Sequence, residues 1–466
     1  MKGKLRSTRP APLAAVLAFA AVIAVALVGA SASRAAGPTS HPISVNPEIS
    51  GPQSANPGAL PVFSCQSRPI DGSSGRPRCY EPNQIQQAYG YSGLLASGVN
   101  GAGRTIVIID AYDNPYLQND LDIQDSTFSL PNVTLNKVMM PGVPPFDPND
   151  DNQVGWGEEE TLDVLWSHAM APRAGITLVE AASNNDTDIL AATKYAVDHH
   201  LGDVISQSFG EAETCVDPTV MSEEHAVFQA AVRKGMTLFA SSGDSGAAQF
   251  NCAGDGATLA ASSPASDPLV TGVGGTTLNA SNPAGNYIGE TAWTEPLFGC
   301  NPPAVDFDDI NCSGGGFSTI FSKPLYQGLA VPGQARGVPD IAYDAGVNGG
   351  VLTHCGVCLV SLGLDPNLPL FFIFGGTSSG SPQWSALIAD ADQMVHHDLG
   401  NINPTLYGLA VLPNLYHTVF HDVTTGNNDV VELGGAGYDA GSGWDPVTGL
   451  GTPKANNLLP ALATFH

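Results

Sequence analysis

Short runs of apolar residues alternate along the chain with longer stretches in which apolar residues recur at helical spacing. We predict strands for the runs and helices for the periodic stretches. The predicted strands are Thr105–Asp110, Ile176–Glu180, Val204–Ser208, Met236–Ala240 and Leu269–Val273, and the predicted helices are Leu162–Met170, Ile189–His199 and His225–Lys234. This alternation favours an α/β fold with a mainly parallel central sheet and helices on both faces. Ligand sites in such folds lie beyond the carboxyl ends of the strands.

The N-terminus has the pattern of an export signal. Basic residues between Lys2 and Arg9 precede the almost wholly apolar run Leu13–Val28, and Ala30–Ala32 offers a small-residue cleavage site. We predict a signal peptide over 1–36 and a secreted, extracellular protein that does not bind membranes once the signal is removed. An uncleaved membrane anchor is the alternative, because the apolar run is slightly long for a signal.

The remainder divides into two parts by composition. Residues 37–79 are rich in Pro, Ser and Gly and lack a strong period, so we predict a linker or loosely ordered arm there. The alternating strands and helices begin after it, and we predict one large domain over 80–466. With 466 residues the chain can bury a large core.

Charge and cysteine content narrow the possible functions. The chain has 17 basic and 44 acidic residues, a formal charge of −27, which excludes nucleic acid and anionic lipid as partners. Eight cysteines agree with an oxidising compartment. They are close neighbours in sequence, and we expect local pairing: Cys65 with Cys79, Cys215 with Cys252, Cys300 with Cys312, and Cys355 with Cys358. Cys355–Cys358 could also form a redox motif, but no thioredoxin-like context surrounds it, so a structural disulfide is favoured.

The segment Gly376–Pro382 is a candidate for a nucleophilic serine at a helix start. Its glycines let the backbone turn sharply, and the hydroxyl of Ser378 would lie in the positive field of a helix N-terminus. The alternative is a Gly/Ser turn that caps an ordinary helix. Subtilisin-like enzymes share the Gly-Thr-Ser-x-x-x-Pro pattern but use a histidine followed by glycine as base. None of the eleven histidines here is followed by glycine, and His168 is by default a core or surface histidine.

Carboxyl groups offer a different base. The segment Gly157–Leu165 is predicted to form the start of a helix. Glu159 and Asp163 are four residues apart in it and therefore lie on one face of the helix. Two close carboxyls cannot both ionise cheaply, so they would titrate as a coupled pair. The alternative is an acidic helix N-terminus, which we prefer for Glu158 and Glu160. Asp244, in a Gly-Asp-Ser-Gly turn after a strand, could donate a hydrogen bond to an oxyanion if it stays neutral.

Together these residues resemble the sedolisin family, the serine-carboxyl peptidases with a subtilisin-like fold. The resemblance runs from about Tyr80 to the C-terminus and includes Ser313–Ser318, Pro324–Gln327 and Val338–Ile341. It implies Ser378 as nucleophile, Glu159 as general base, Asp163 as the acid that supports Glu159, and Asp244 in the oxyanion hole. Sedolisins usually carry a large folded prosegment, whereas only 37–79 separate signal and domain here.

The same resemblance implies one structural Ca²⁺ site near the C-terminus. Its ligands would be the side chains of Asp422 and Asp445 and the carbonyl groups of Val423, Gly441 and Gly443. Two carboxylates and backbone carbonyls are oxygen donors that calcium prefers. The alternative is a glycine-rich surface loop.

We therefore expect a secreted, monomeric endopeptidase that acts in acid on protein or peptide substrates. A glutamate base and a protonated Asp244 both point to an optimum below neutrality. The alternatives are an aminopeptidase that releases tripeptides and a non-catalytic exported binding protein with the same fold.

Overall fold

The structure is a computed structural model, and it describes residues 40–43, 45, 48–54, 63–67, 77–295 and 311–466. These residues belong to one compact unit, Pro38–His466. The predicted signal peptide, 1–36, lies outside the described residues. Among the described helices, none is long and apolar enough to cross a membrane.

Strands and helices alternate over most of the described chain. The strands are β1 Glu48–Ser54, β2 Cys79–Tyr80, β3 Thr105–Ala111, β4 Asn136–Met139, β5 Gly175–Ala181, β6 Val204–Gln207, β7 Glu211–Ala212, β8 Thr237–Ser241, β9 Ala248–Phe250, β10 Ala257–Leu259, β11 Ser262–Ser263, β12 Thr271–Ala280, β13 Tyr287–Ala292, β14 Gly316–Ser322, β15 Ala335–Val338, β16 Ile341–Asp344, β17 Gly350–His354, β18 Leu370–Gly375, β19 Phe420–His421 and β20 Thr452–Pro453. The α-helices are α1 Ser64–Ser67, α2 Pro82–Ala88, α3 Ser92–Ala96, α4 Leu117–Phe128, α5 Asp151–Met170, α6 Asp186–His199, α7 Pro218–Arg233, α8 Gly356–Ser361, α9 Gly380–Val395, α10 Asn403–Ala410, α11 Pro413–Val419 and α12 Ala455–Phe465.

The central sheet has eight strands and is mainly parallel, as predicted. Its order is β13-β12-β8-β6-β3-β5-β4, and β16 also pairs with β12. Only β13 runs antiparallel to its neighbour. The carboxyl ends of β6 and β8 lie side by side, because Gln207 is opposite Ala240. Loops that leave these two strands can therefore meet at one edge of the sheet.

Helices cover both faces of this sheet, which also confirms the prediction. Alternate residues of β3 point to opposite cores: Ile106 and Ile108 pack with α5 and α9, and Val107 and Ile109 pack with α6 and α7. A strand buried on both faces reads as a continuous apolar run, and this is why the pattern was visible in the sequence.

Several predicted boundaries differ from the structure. The predicted helix Leu162–Met170 belongs to α5, which already begins at Asp151, where Asp150 accepts hydrogen bonds from the N–H groups of Asn152 and Gln153. Likewise α7 begins at Pro218 rather than His225, after the capping residue Asp217. The last predicted strand is displaced, since β12 runs from Thr271 to Ala280.

Parts of 37–79 are more ordered than a loose arm. Strand β1 pairs antiparallel with β18, and the disulfide Cys65–Cys79 ties α1 to β2. Two further predicted disulfides, Cys215–Cys252 and Cys355–Cys358, are also present. Cys300, in the fourth predicted pair, lies outside the described residues.

Candidate active site

Ser378 lies where β18 passes into α9. Gly376 turns the chain with φ of +88°, a 3₁₀ turn spans Thr377–Ser379, and α9 follows directly. A side chain at Gly376 would place its Cβ 2.6 Å from Oδ2 of Asp244, so this close approach requires glycine. Ser378 is almost buried, and its hydroxyl donates to the carbonyl oxygen of Ser208 at 3.3 Å. The serine therefore lies at the N-terminal end of a 16-residue helix, as expected.

Glu159 and Asp163 lie one turn apart on α5, and both are fully buried. Burial raises the pKa of Glu159 well above its usual value, and the neighbouring charge of Asp163 raises it further, whereas the adjacent hydroxyl of Ser378 lowers it. Burial also raises the pKa of Asp163, and a hydrogen bond from Ser208 lowers it. The two carboxyls thus form a coupled pair beside Ser378.

Ser208 connects the acid pair to the serine, and sequence reasoning did not identify it. Its hydroxyl donates to Oδ1 of Asp163 at 2.8 Å and lies 3.4 Å from the carbonyl oxygen of Ser378. Its own carbonyl accepts from the Ser378 hydroxyl. The available signal was its position at the end of a predicted strand, where site residues of parallel sheets gather.

Asp244 lies in the loop after β8 and lines the same cleft as Ser378. Its Oδ1 accepts two hydrogen bonds from Thr377, from the N–H at 2.8 Å and from the hydroxyl at 2.6 Å. Burial raises the pKa of Asp244 to about 6, although both Thr377 donors lower it. Because both donors use Oδ1, a proton on the carboxyl is directed to Oδ2, the oxygen beside Gly376.

The glycine-rich segment Ser313–Gly316 supports the Asp244 loop from behind. The N–H of Gly314 donates to the carbonyl of Gly243 at 2.6 Å, and the hydroxyl of Ser242 donates to the carbonyl of Gly314 at 2.7 Å. A Cβ at Gly314 would lie 2.2 Å from the carbonyl oxygen of Ser242. The two backbones approach this closely only because Gly314 has no side chain.

A cleft of about 60 Å³ gives access to part of the site, and its lining includes Ser208, Asp244, Thr377 and Ser378. A larger cavity of about 400 Å³ shares three of its lining residues, Gly210, Gln249 and Phe250. No histidine is among the described residues that line the cleft. The cleft therefore offers the hydroxyl of Ser378 and the carboxyl of Asp244, with no imidazole among its described lining residues. The carboxyl pair of Glu159 and Asp163 is buried behind this lining.

His168 and Glu160, which were discussed from the sequence, and the neighbouring Gln383 lie outside the lining of the cleft. His168 is a buried core residue whose Nε2 is 3.0 Å from a carboxyl oxygen of Asp125. Gln383 donates to the carbonyl and the hydroxyl of Ser379 and stabilises the start of α9. Glu160 was expected to be an ordinary residue of an acidic helix N-terminus, but it is fully buried. Among its charged neighbours, Glu180 raises the pKa of Glu160 the most. Glu180 itself forms an ion pair with Lys137 at 2.6 Å.

The five residues of the predicted calcium site are brought into one loop region. The hydroxyl oxygen of Tyr416 lies 3.0 Å from Oδ1 of Asp422 and 3.3 Å from the carbonyl oxygen of Gly443. The hydroxyl oxygen of Thr448 lies 3.0 Å from Oδ2 of Asp445 and 3.4 Å from the carbonyl oxygen of Val423. The N–H of Gly441 donates to Oδ2 of Asp445 at 3.1 Å. The donor set is made of oxygen atoms with two carboxylates, and this chemistry fits a hard cation such as calcium.

Comparisons with known proteins identify the family and the fold. Residues 148–401 match the subtilase family. Kumamolisin of Bacillus sp. (strain MN-32) is 33% identical over 84% of this chain and 64% of its own length, and sedolisin of Pseudomonas sp. (strain 101) is 31% identical over 82% and 60%. Tripeptidyl-peptidase 1 of Bos taurus is 31% identical over 55% of this chain and 42% of its own length. The chain thus spans about two thirds or less of the length of these relatives.

A solved structure also resembles the described fold. It is Pseudomonas sedolisin, a serine-carboxyl proteinase, complexed with two molecules of pseudo-iodotyrostatin. It aligns with a TM-score of 0.68 at 28% identity and covers 82% of this chain and 97% of that chain.

Proposed function

The chain belongs to the subtilase family, and to the sedolisins within it, and we propose that it is an endopeptidase that forms an acyl-enzyme on Ser378. The observation that carries the proposal is the buried carboxyl pair, Glu159 and Asp163, beside a serine whose cleft has no histidine among its described residues. A serine hydroxyl needs a base within reach to become a nucleophile. We assign this role to Glu159, because the adjacent Ser378 hydroxyl lowers the pKa of its carboxyl.

In the proposed reaction, the oxygen of Ser378 attacks the peptide carbonyl while its proton passes to Glu159. Asp163, held by Ser208, shares the remaining proton of the pair and keeps Glu159 in position. Collapse of the tetrahedral intermediate breaks the C–N bond, and Glu159 returns the proton to the leaving amine. Water then attacks the ester with the same base, which releases the acid product and restores the Ser378 hydroxyl.

The proposed role of Asp244 is to stabilise the oxyanion as a neutral acid. A carboxyl can donate a hydrogen bond only when it is protonated. Oδ1 already accepts from Thr377, so the donating oxygen would be Oδ2. With a pKa of about 6, Asp244 is a donor below that pH and a repelling charge above it. Removing one such donor typically raises the barrier by about 3–4 kcal/mol. The reaction should therefore belong to acidic solution.

A second candidate is the release of tripeptides, which the similarity to tripeptidyl-peptidase 1 of Bos taurus favours. A product map of one denatured protein digested at acidic pH distinguishes the two. Internal fragments of many lengths support the endopeptidase, and successive tripeptides from the N-terminus support the alternative.

Two variants test the chemistry in the same digest. Ser378→Ala and Glu159→Gln should both abolish cleavage, because one removes the nucleophile and the other the base. Glu158→Gln, a neighbour on the same helix, is the matched control and should retain activity. If all the proteins are inactive but folded, the non-catalytic binding protein becomes the better description.

We also propose that the loop around Asp422 and Asp445 binds one structural calcium ion, with the carbonyls of Val423, Gly441 and Gly443 as further ligands. The ion would neutralise two nearby carboxylates and fix the loop, and it would take no part in the reaction. A chelator should then lower the melting temperature of Ser378→Ala, and added calcium should restore it. An unchanged melting temperature would contradict the site.

Export is the proposed localisation, and the substrates would be protein or peptide chains met outside the cell. The disulfides support this proposal, since such bonds persist in oxidising compartments. We expect the mature protein to act as a monomer.

A further inference from the structure

A histidine and two aspartates meet at the end of the central sheet opposite the cleft. His200 follows α6, Asp203 precedes β6, and Asp398 lies in the loop after α9. One ring nitrogen or carboxyl oxygen of each residue lies within 4.8 Å of those of the other two. Because β6 begins beside Asp203 and ends near Ser208, whose carbonyl contacts Ser378, this group lies at the other end of the sheet from the serine. It is here called the basal cluster.

Each aspartate of the basal cluster has one oxygen held by a donor from outside it. Oδ1 of Asp398 accepts from Nη1 of Arg104 at 2.6 Å, whereas its Oδ2 lies 4.0 Å from Nε2 of His200. Oδ2 of Asp203 accepts from the N–H of Thr105 at 2.6 Å, whereas its Oδ1 lies 3.6 Å from Nη1 of Arg104. The distances of 3.6 and 4.0 Å are too long for hydrogen bonds. Partners of this kind orient carboxylates that bind metals, and they leave the second oxygen for the ion.

The basal cluster has more carboxyl groups than cationic groups to balance them. Burial raises the pKa of Asp398, and the close carboxyl of Asp203 raises it further. A third carboxyl, that of Asp392, is fully buried beside them. Its Oδ1 accepts from the N–H of Leu399 at 2.8 Å, but its Oδ2 has no hydrogen-bond partner among the described residues. Burial raises the pKa of Asp392, and the charges of Asp398 and Asp203 add to this effect. Three carboxyls thus share one guanidinium, that of Arg104, and a divalent cation would balance the excess charge.

The donor set favours zinc over calcium. An imidazole nitrogen and two carboxylate oxygens, with a fourth position for water, form a ligand set that zinc accepts, whereas calcium prefers six or more oxygens. Two ligands of a tetrahedral zinc ion lie about 3.3 Å apart. The 4.0 Å between Nε2 of His200 and Oδ2 of Asp398 must therefore shorten by less than about 1 Å. The side chain of His200 is 43% exposed and can make this movement.

We propose that His200, Asp203 and Asp398 bind one zinc ion. The ion would join the segment between α6 and β6 to the loop after α9, and it would stabilise the fold without taking part in peptide hydrolysis. The site is separate from the proposed calcium loop around Asp422 and Asp445. It goes beyond the proposed peptidase function and does not depend on it.

A zinc titration of the full chain carrying Ser378→Ala tests the site without requiring activity. The protein is freed of metal with a chelator and returned to excess calcium, so that the proposed calcium loop is filled. It is then titrated with zinc chloride by calorimetry at neutral pH, because an imidazole ligand must be unprotonated. We expect one zinc ion per chain, and a higher melting temperature in zinc, since a ligand that binds the folded state stabilises it.

Substitution of a ligand should weaken zinc binding specifically. His200→Asn should raise the Kd at least about tenfold, the loss that even an outer-shell partner typically causes. His200 has φ of +50°, a backbone conformation that asparagine tolerates well, so the fold should be retained. His199→Asn, at the neighbouring exposed histidine, is the matched control and should leave the Kd unchanged. Asp398→Asn should raise the Kd as well, whereas Asp198→Asn, at an exposed aspartate, should not.

Equal Kd values in His200→Asn and His199→Asn would place zinc on scattered surface groups and would overturn the site. The absence of binding heat, with an unchanged melting temperature in zinc, would overturn it too, because Asp203 and Asp398 would then only share a proton. Peptide cleavage by the wild type is scored separately, so a missing activity would count against the proposed function alone.

Discussion

At the scale of single residues, Thr377 is the group that tunes Asp244, because both of its hydrogen bonds end on Oδ1. These bonds favour the ionised carboxyl and lower its pKa against the effect of burial. The active form proposed here is the protonated one. Loss of the hydroxyl should therefore raise the pKa and extend activity to higher pH.

Thr377→Val tests this sign. We expect the alkaline limb of kcat/KM to move upward by about half to one pH unit, the equivalent of one hydrogen bond. Thr464→Val, an exposed threonine near the C-terminus, is the control. A limb that stays in place or moves downward would show that Asp244 does not act as the protonated donor.

The four residues proposed for catalysis could be named as candidates from the sequence because each belongs to a short motif. The residues that hydrogen-bond to them, Ser208 and Thr377, could not be predicted. Ser208 reaches Asp163 across 45 positions, and Thr377 reaches Asp244 across 133. Nothing local in a sequence marks contacts that form only after the sheet has brought two loops together.

At the scale of elements, Arg336 and Asp340 join β15 to β16 through a fully buried ion pair at 2.5 Å. Asp340 also accepts from the hydroxyl of Tyr407 and from the N–H of Gly272. The pair links the Val338–Ile341 segment, one of those that resembled the family, to the sheet and to α10. Breaking one partner leaves a buried charge alone.

Arg336→Met should lower the free energy of unfolding by about 3–5 kcal/mol. Denaturant unfolding at acidic pH in the Ser378→Ala background measures it. Arg233→Met, at an exposed position on α7, should change it by less than about 0.5 kcal/mol. A loss of only about 1 kcal/mol at Arg336 would mean that the pair is not important for the packing of these elements.

The strands of the sheet were predictable because burial on both faces makes them apolar throughout. The start of α5 could not be predicted, because Gly155 and Gly157 have low helix propensity and lie in its first two turns. Glycines at 272, 274 and 275 likewise obscured β12. Tertiary packing overrides propensity at both places: Gly275 would place a Cβ 2.8 Å from the Cβ of Ala345.

At the scale of the whole molecule, buried carboxyls dominate the response to pH. Burial raises the pKa of Asp390 well above its usual value and the pKa of Asp392 to about 8. A folded state with raised carboxyl pKa values binds more protons than the unfolded chain. The contribution of these carboxyls to the free energy of unfolding is fully present below their unfolded pKa, near 4, and is lost as the pH rises towards 8. The formal charge of −27 acts in the same direction.

The free energy of unfolding of Ser378→Ala should therefore be larger at pH 5 than at pH 8, by several kcal/mol. Thermal and denaturant unfolding at constant ionic strength and constant calcium measure it. Asp392→Asn should reduce the difference, because one titrating carboxyl is removed. A protein more stable at pH 8 would contradict the protonated state of these buried groups.

The measurement that tests the central claim most directly is the pH dependence of kcat/KM for the wild type and Asp244→Asn. The asparagine amide can donate at any pH, whereas Asp244 can donate only when protonated. We predict that the wild type loses activity as the pH rises through about 6, and that the ratio of Asp244→Asn to wild type increases over the same range. A wild-type rate that rises into alkaline solution, with a ratio that does not change with pH, would contradict a serine served by carboxyl groups.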